Sequence, residues 1–118
     1  DYDEAMKLLN ELKKEALPAH GQFKMFYLRL TEIFKRYISR KTGENKMYLT
    51  GDELIADLSH RELSRDMLSE FANCIRMGDA VKFAKYRPSI EESDRCLEKI
   101  SGVINLLNNK EKEGSNDL

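Results

Sequence analysis

Cysteine and histidine are the side chains with which this sequence could carry out nucleophilic chemistry. The chain has two of each, Cys74, Cys96, His20 and His60. Cys74 with His60 would combine a thiol nucleophile with a general base. However, Cys74 precedes Ile75 in an apolar predicted helix, where a thiol is usually inert. Neither cysteine has the spacing of a metal site or a redox motif, so we predict two free thiols in a reducing compartment.

Metal binding and acid–base catalysis have little support in the other candidate residues. A metal site needs further ligands at suitable spacing, and His20 and His60 have none that is diagnostic, so we predict surface or capping histidines. The carboxylate pairs at 52–53 and 91–92 lie in first turns of predicted helices, where capping and the helix dipole favour them. We therefore predict no catalytic residue, no metal, no cofactor and no enzymatic activity.

The most site-like cluster alternates basic and aromatic residues near the start of the last predicted helix. Lys82, Lys85 and Arg87 alternate there with Phe83 and Tyr86. In a functional interpretation, Lys82, Lys85, Tyr86 and Arg87 contact an acidic protein or anionic lipid headgroups. In a structural interpretation, Phe83 closes the end of a helical bundle while the cations are solvated.

A second basic cluster lies on the longest apolar helix and consists of Lys35, Arg36, Arg40 and Lys41. Nucleic-acid binding would place such residues beside a recognition helix with base-reading side chains, and we find no such helix. Twenty basic against twenty-one acidic residues give a net charge of −1, which also disfavours a nucleic-acid binder. We predict a solvated face and no nucleic-acid partner.

The helix that positions these clusters spans residues 22–41. Its apolar residues recur every three or four positions, as on one face of a helix, namely Phe23, Phe26, Tyr27, Leu30, Ile33, Phe34, Tyr37 and Ile38. Buried aromatic rings each contribute roughly 2–3 kcal/mol, so this stripe should be the centre of the core.

Further helices are predicted on both sides of this central helix. A first helix covers 2–17 and stops at Pro18, and the central helix ends beside Gly43. The connector residues Met47, Tyr48 and Leu49 are expected to fold back onto the core. The sequences TGDE at 50–53, SHRE at 59–62 and SIEE at 89–92 each have the form of a capping box.

These caps define the remaining elements. A short helix follows 50–53, and a longer one begins at 59–62 and is interrupted at Gly78, with a turn or short helix over 79–86. A final helix runs from 89 to about Asn108. We therefore predict an all-α fold, a compact bundle of four main helices plus one or two short ones. It forms a single helical domain over 1–109 of the 118 residues, with a polar disordered tail over 110–118.

Three segments, in order, resemble a known family. They are LTEIFKRYI at 30–38, LTGDEL at 49–54, and VKFAK at 81–85 followed by Pro88. Together they resemble the C-terminal cytoplasmic region of the BatD family, which belongs to the Bacteroides aerotolerance (Bat) proteins. The match spans roughly residues 5–107.

The resemblance implies an extracytoplasmic β-rich region, one membrane-spanning helix, and then this helical domain inside the cell. The implied partners are a MoxR-type AAA+ ATPase and Bat proteins with von Willebrand factor A domains, and no catalytic residue is carried over. The chain starts at Asp1 without an initiating Met and has no apolar run of membrane-spanning length, so we expect a fragment that does not itself insert. Its parent would be a membrane protein of the bacterial inner membrane, with this domain on the cytoplasmic side.

Two functions from different classes follow. The first is a non-catalytic interaction module that links a BatD-like membrane protein to cytoplasmic or membrane partners. The alternative is a free-standing soluble helical adaptor or regulator that binds a peptide or helix of its partner. Some 20 apolar residues directly upstream of Asp1 would favour the first.

Overall fold

The described part of the chain is mostly α-helical. The computed structural model describes residues 1–61 and 63–116, with side chains up to Lys110. In chain order the elements are α1 (Tyr2–Glu15), a 3-10 turn (Pro18–His20), α2 (Phe23–Thr42), α3 (Gly51–Ser59), α4 (Arg65–Phe83) and α5 (Ile90–Asn116). Over those residues there is no strand. The predicted all-α bundle of four main helices and a short one is confirmed.

The four long helices form an up-and-down bundle. In the ring α1–α2–α4–α5 each helix packs against its two neighbours, α2 also contacts α5 across the ring, and α3 packs on α4. Ion pairs from Arg29 to Glu15 (2.7 Å) and from Arg40 to Glu4 (3.1 Å) show that α1 and α2 are antiparallel. The short connections from α1 to α2 and from α4 to α5 favour this arrangement, because the second helix of each pair then returns beside the first.

The aromatic stripe of α2 is the centre of the core, as predicted. Seven of its eight residues are buried and Phe23 is partly buried. The Phe34 ring packs on the Phe71 ring of α4 with their centroids 4.7 Å apart, and Phe26 meets Tyr27 edge to face at 5.1 Å. Since α2 contacts α1, α4 and α5, its stripe supplies apolar surface to three neighbours at once.

Two of the three predicted capping boxes are confirmed. Thr50 Oγ1 accepts from the Glu53 amide at 3.2 Å, while Glu53 Oε1 accepts from the Thr50 amide at 3.0 Å. Ser89 and Glu92 form the same reciprocal pair at 3.0 and 2.9 Å. The carboxylates of Glu53 and Glu92 therefore have the capping role that the sequence assigned to them.

The predicted cap at Ser59 is wrong. Ser59 is the last residue of α3, and its hydroxyl donates to the Ala56 carbonyl at 2.6 Å. The N-cap of α4 is Ser64, whose hydroxyl accepts from the Met67 amide at 3.1 Å. Glu62, the last residue of the predicted box, lies outside the described residues.

The predicted interruption at Gly78 is also wrong, because α4 continues through it to Phe83. Gly78 is buried against α2, and a Cβ placed on it would lie 3.4 Å from Cβ of Tyr27. The missing side chain lets the two helices approach closely at this point. Gly78 is therefore a packing residue within α4, and the predicted separate element over 79–86 is wrong.

Two helix ends also differ from the prediction. α1 ends at Glu15, where Ala16 adopts a left-handed conformation (φ 49°), ahead of the predicted end at Leu17. Pro18 lacks an amide hydrogen and its ring clashes with a helical carbonyl four residues earlier, so the chain leaves the helix before it. α5 continues past Asn108 to Asn116. Side chains from 111 onward and all of 117–118 lie outside the described residues, so the disordered tail stays a prediction.

The connector between α2 and α3 is held by polar contacts more than by its apolar residues. Lys46 donates its amide to Ser39 Oγ at 2.8 Å, and its ammonium lies 3.1 Å from an Asp57 carboxylate oxygen. The predicted folding back holds only for Leu49, which is partly buried against the core. It is wrong for Met47 and Tyr48, which are 38% and 72% exposed.

The Asp57 contacts predict a loss of stability in acid. Burial alone would raise the pKa of Asp57, but the hydrogen bond from Lys46 and the charge of Arg61 outweigh it, so the pKa is lowered. A carboxyl whose pKa is lower when folded stabilises the protein above its unfolded pKa of about 3.9, and this contribution is lost as the pH falls through the folded value. In urea titrations across this pH range, Asp57→Asn should flatten the acid limb of unfolding free energy. An unchanged limb would contradict the assignment.

Two glycines should respond oppositely to the same substitution. Gly102 lies within α5 with no atom within 4 Å of an added Cβ, so Gly102→Ala should raise the free energy of unfolding by about 0.5–1 kcal/mol. Gly43 ends α2 with φ 76°, and there Gly43→Ala should lower it by about 1 kcal/mol. Urea unfolding of both variants tests this, and changes of the same sign would contradict it.

Candidate interaction surface at the α4–α5 corner

The chain reverses direction between α4 and α5 through a turn fixed by backbone contacts. Ala84 donates its amide to the Ala80 carbonyl at 2.9 Å, and Tyr86 donates to the same carbonyl at 3.1 Å. Lys85 makes this possible by adopting a left-handed conformation with φ 57°. The turn presents what we call the corner surface, defined by Lys82, Phe83, Lys85, Tyr86 and Arg87.

Phe83 is the most exposed large apolar residue of the described chain. Its side chain is 82% exposed, and that of Tyr86 is 45% exposed. The structural interpretation in which Phe83 closes the end of the bundle is therefore wrong. Because α4 runs on without a break, Val81 takes the buried position of the last turn, and Phe83 lies about 200° further around the helix. The helical phase thus turns the Phe83 ring outward.

The cations of the corner surface differ in whether they contact another side chain within the described residues. Lys82 lies 3.7 Å from an Asp79 carboxylate oxygen, and its ammonium is 5.8 Å from the centroid of the Phe83 ring. Within the described residues, Lys85 and Arg87 are exposed and have no ion-pair partner. The turn therefore brings the four predicted contact residues to one corner, with two cations available beside an exposed aromatic ring.

The second basic cluster is solvated only in part. Arg36 is exposed, and Arg40 is exposed but pairs with Glu4. Lys35 is half-buried, and burial together with the nearby charge of Lys82 lowers its pKa. Lys41 donates to the Leu107 carbonyl of α5 at 3.3 Å. Its members therefore do not form one free basic surface.

The histidines take part in local helix-end contacts. A ring nitrogen of His20 lies 2.9 Å from the Ala16 carbonyl at the end of α1, and His60 is the exposed C-cap of α3. The structure does not bring His60 to Cys74, because Cys74 is buried and faces Cys96. In the described ranges no three side chains of His, Cys, Asp or Glu could hold a metal ion together.

Sequence reasoning missed two features of the molecule, the exposure of Phe83 and the neighbouring thiols. A search for a bilayer-spanning helix in the described residues found none that is both long and apolar enough. Comparisons with protein-family models, curated proteins and solved structures found no significant match to this chain.

Proposed function

We propose that this chain is a non-catalytic protein-interaction domain that binds an acidic segment of a partner through the corner surface. The observation that carries the proposal is the 82% exposure of Phe83 beside the unpaired cations Lys85 and Arg87, as far as the described residues extend. Covering a phenyl ring is worth roughly 2–3 kcal/mol. Exposed apolar patches rimmed by polar residues mark contact surfaces, and aromatic and Arg residues dominate binding hot spots.

Each residue of the corner surface has a distinct role in this proposal. Phe83 inserts into an apolar recess of the partner, and the Tyr86 ring covers the side of that contact while its hydroxyl stays polar. Arg87 has the planar donor geometry that binds a carboxylate in bidentate fashion, and Lys85 adds a point charge. The hydrogen bonds from Ala84 and Tyr86 to Ala80 hold the turn before binding, which reduces the ordering cost of association.

We further propose that the domain is the cytoplasmic part of a BatD-like membrane protein. The proposal is supported by the three ordered segments at 30–38, 49–54 and 81–85, and it agrees with the all-helical fold. The last of these segments contains Phe83 and Lys85, so the resemblance and the corner surface meet in the same residues. The partner in this proposal is the MoxR-type AAA+ ATPase or a Bat protein with a von Willebrand factor A domain.

A topology experiment tests the BatD-like assignment. The parent protein is fractionated with membranes, and protease is added from the cytoplasmic side. The proposal expects the parent in the membrane fraction and digestion of this domain, together with saturable binding of the purified domain to one of the two Bat partners. A parent in the cytosolic fraction would overturn the family assignment while leaving the corner surface to be tested separately.

A second candidate is a free-standing adaptor that binds a peptide along a groove. Between the end of α1 and the start of α5 lies a groove of about 410 Å³, lined in part by Pro18, Ala19, Ile90 and Leu97. Ile90 is 43% exposed there. This candidate predicts that Ala19→Glu abolishes partner binding and that charge reversal at the corner surface does not. The opposite pattern favours the corner surface.

A further inference from the structure

The two cysteines lie opposite each other across the antiparallel pair α4 and α5. An ion pair from Lys99 to Glu70 (2.8 Å) fixes the register of the two helices. Cys74 is four residues after Glu70, and Cys96 is three residues before Lys99. Residues at these spacings share a helix face with the ion pair, so the register places Cys74 and Cys96 one turn further along, facing each other.

A second contact holds the same register on the far side of the thiols. The Tyr27 hydroxyl of α2 lies 3.2 Å from Met77 Sδ on α4 and 3.0 Å from Ser93 Oγ on α5. Met77 is three residues after Cys74, and Ser93 is three residues before Cys96. The cysteine pair is therefore bracketed by an ion pair on one side and by this hydroxyl bridge on the other.

The thiols also line a cavity that a small solute can enter. The cavity between α4 and α5 measures about 320 Å³, and its walls include Cys74, Cys96 and Met77. The cysteines are otherwise well covered, at 7% and 3% exposure. A small neutral molecule can reach the sulfur atoms through this cavity, whereas a protein-sized thiol reagent cannot.

We propose that Cys74 and Cys96 are a peroxide-reactive dithiol that closes to an intramolecular disulfide between α4 and α5. The Cys96 thiolate attacks one oxygen of hydrogen peroxide, the O–O bond breaks, and hydroxide leaves, so that Cys96 becomes a sulfenic acid. The Cys74 sulfur then attacks the Cys96 sulfur, the S–O bond breaks, and water leaves with the Cys74 proton. The two thiols lose two electrons and two protons, and the peroxide is reduced to two molecules of water.

The contacts around each thiol indicate which cysteine reacts with the peroxide and which one resolves the sulfenic acid. Hydrogen bonding from the Cys74 thiol lowers the pKa of Cys96 more than burial raises it, and the Tyr27 hydroxyl adds a further hydrogen bond. Hydrogen bonding to Cys96 and burial both raise the pKa of Cys74. Since the thiolate is the nucleophile, Cys96 attacks the peroxide first and Cys74 then resolves the sulfenic acid. This chemistry is independent of the proposed function of the corner surface.

The test is oxidation of the folded, reduced chain by hydrogen peroxide, followed by thiol counting and intact-mass measurement after alkylation. The expected product is a monomer without free thiols whose mass is lower by two hydrogen atoms. Dithiothreitol should restore both thiols. Cys74→Ser should accumulate a sulfenic acid on Cys96 that dimedone traps. Cys96→Ser should react at Cys74 at least about tenfold more slowly, because the more acidic thiol is missing.

The wild-type chain in urea provides a reference that does not depend on the variants folding. There both cysteines should react at similar rates, because the contacts that distinguish them are absent. Folded wild-type protein that keeps both thiols under conditions that oxidise the unfolded chain would overturn the proposal. A disulfide between two chains would do the same.

Discussion

Replacing Lys85 and Arg87 together by glutamate weakens binding to the acidic partner by at least about 30-fold, which corresponds to about 2 kcal/mol. Both side chains are exposed and have no ion pair within the described chain, so reversal removes attraction and introduces repulsion without breaking an internal contact. Surface changes of this kind typically alter stability by no more than about 0.5 kcal/mol. Titration of the immobilised domain with either proposed partner, a purified MoxR-type ATPase or a von Willebrand factor A protein, measures the effect.

A matched control separates the corner surface from general charge. Lys7→Glu with Arg36→Glu changes the net charge by the same amount at two exposed positions outside the corner. The dissociation constant of this control should stay within about threefold of the wild-type value, since charges at the rim or far from the contact contribute little. Phe83→Ser should weaken binding as strongly as the charge reversal because it removes the central ring. Equal losses from the control and the corner variant would contradict the assignment.

The largest effect on stability is expected at Phe34. Its ring is fully buried and packs on Phe71, so Phe34→Ala should lower the free energy of unfolding by about 3–5 kcal/mol. Phe34→Leu keeps most of the volume and should cost less, about 1–1.5 kcal/mol. Urea unfolding followed by circular dichroism gives these values.

Phe83→Ala is the matched control for the core substitution, since the same residue type is exposed at the end of α4. It should change the free energy of unfolding by no more than about 0.5 kcal/mol. Similar destabilisation at both positions would mean that Phe83 is packed in the folded protein. The exposed ring on which the proposed function depends would then be lost.

The features that sequence predicts well here are local ones. The periodicity of 22–41 identifies the buried face of α2 because helical geometry alone decides which side chains share a face. The capping boxes at Thr50 and Ser89 are equally local, since donor and acceptor are three residues apart. The predicted cap at Ser59 is wrong because Ser64, five residues later, can also cap a helix. Which of the two serines caps α4 depends on where α3 ends.

The features that sequence misses depend on contacts between helices. Gly78 predicts an interruption when it is considered alone, and only its close approach to Tyr27 explains why the helix continues. With an interruption at Gly78 the helical phase of Phe83 is undefined, so sequence alone does not decide whether its ring closes the bundle end or lies outward. The pairing of Cys74 with Cys96 depends on the register of α4 and α5. One signal was present, because Cys74 and Cys96 lie within about two to three helical turns before and after the loop between these helices.

Site-specific photo-crosslinking tests the central claim, that partners bind at the corner surface. A photoreactive phenylalanine analogue is placed at position 83 of the full parent protein in its own cells, and at position 47 as a control. Met47 is also exposed, but it lies beside Arg40 and Gly43 at the C-terminal end of α2, outside the corner surface. We predict a crosslink to one acidic protein from position 83, lost with Lys85→Glu and Arg87→Glu, and none from position 47. A crosslink from position 47 alone, or one from position 83 that survives the charge reversal, would contradict the claim.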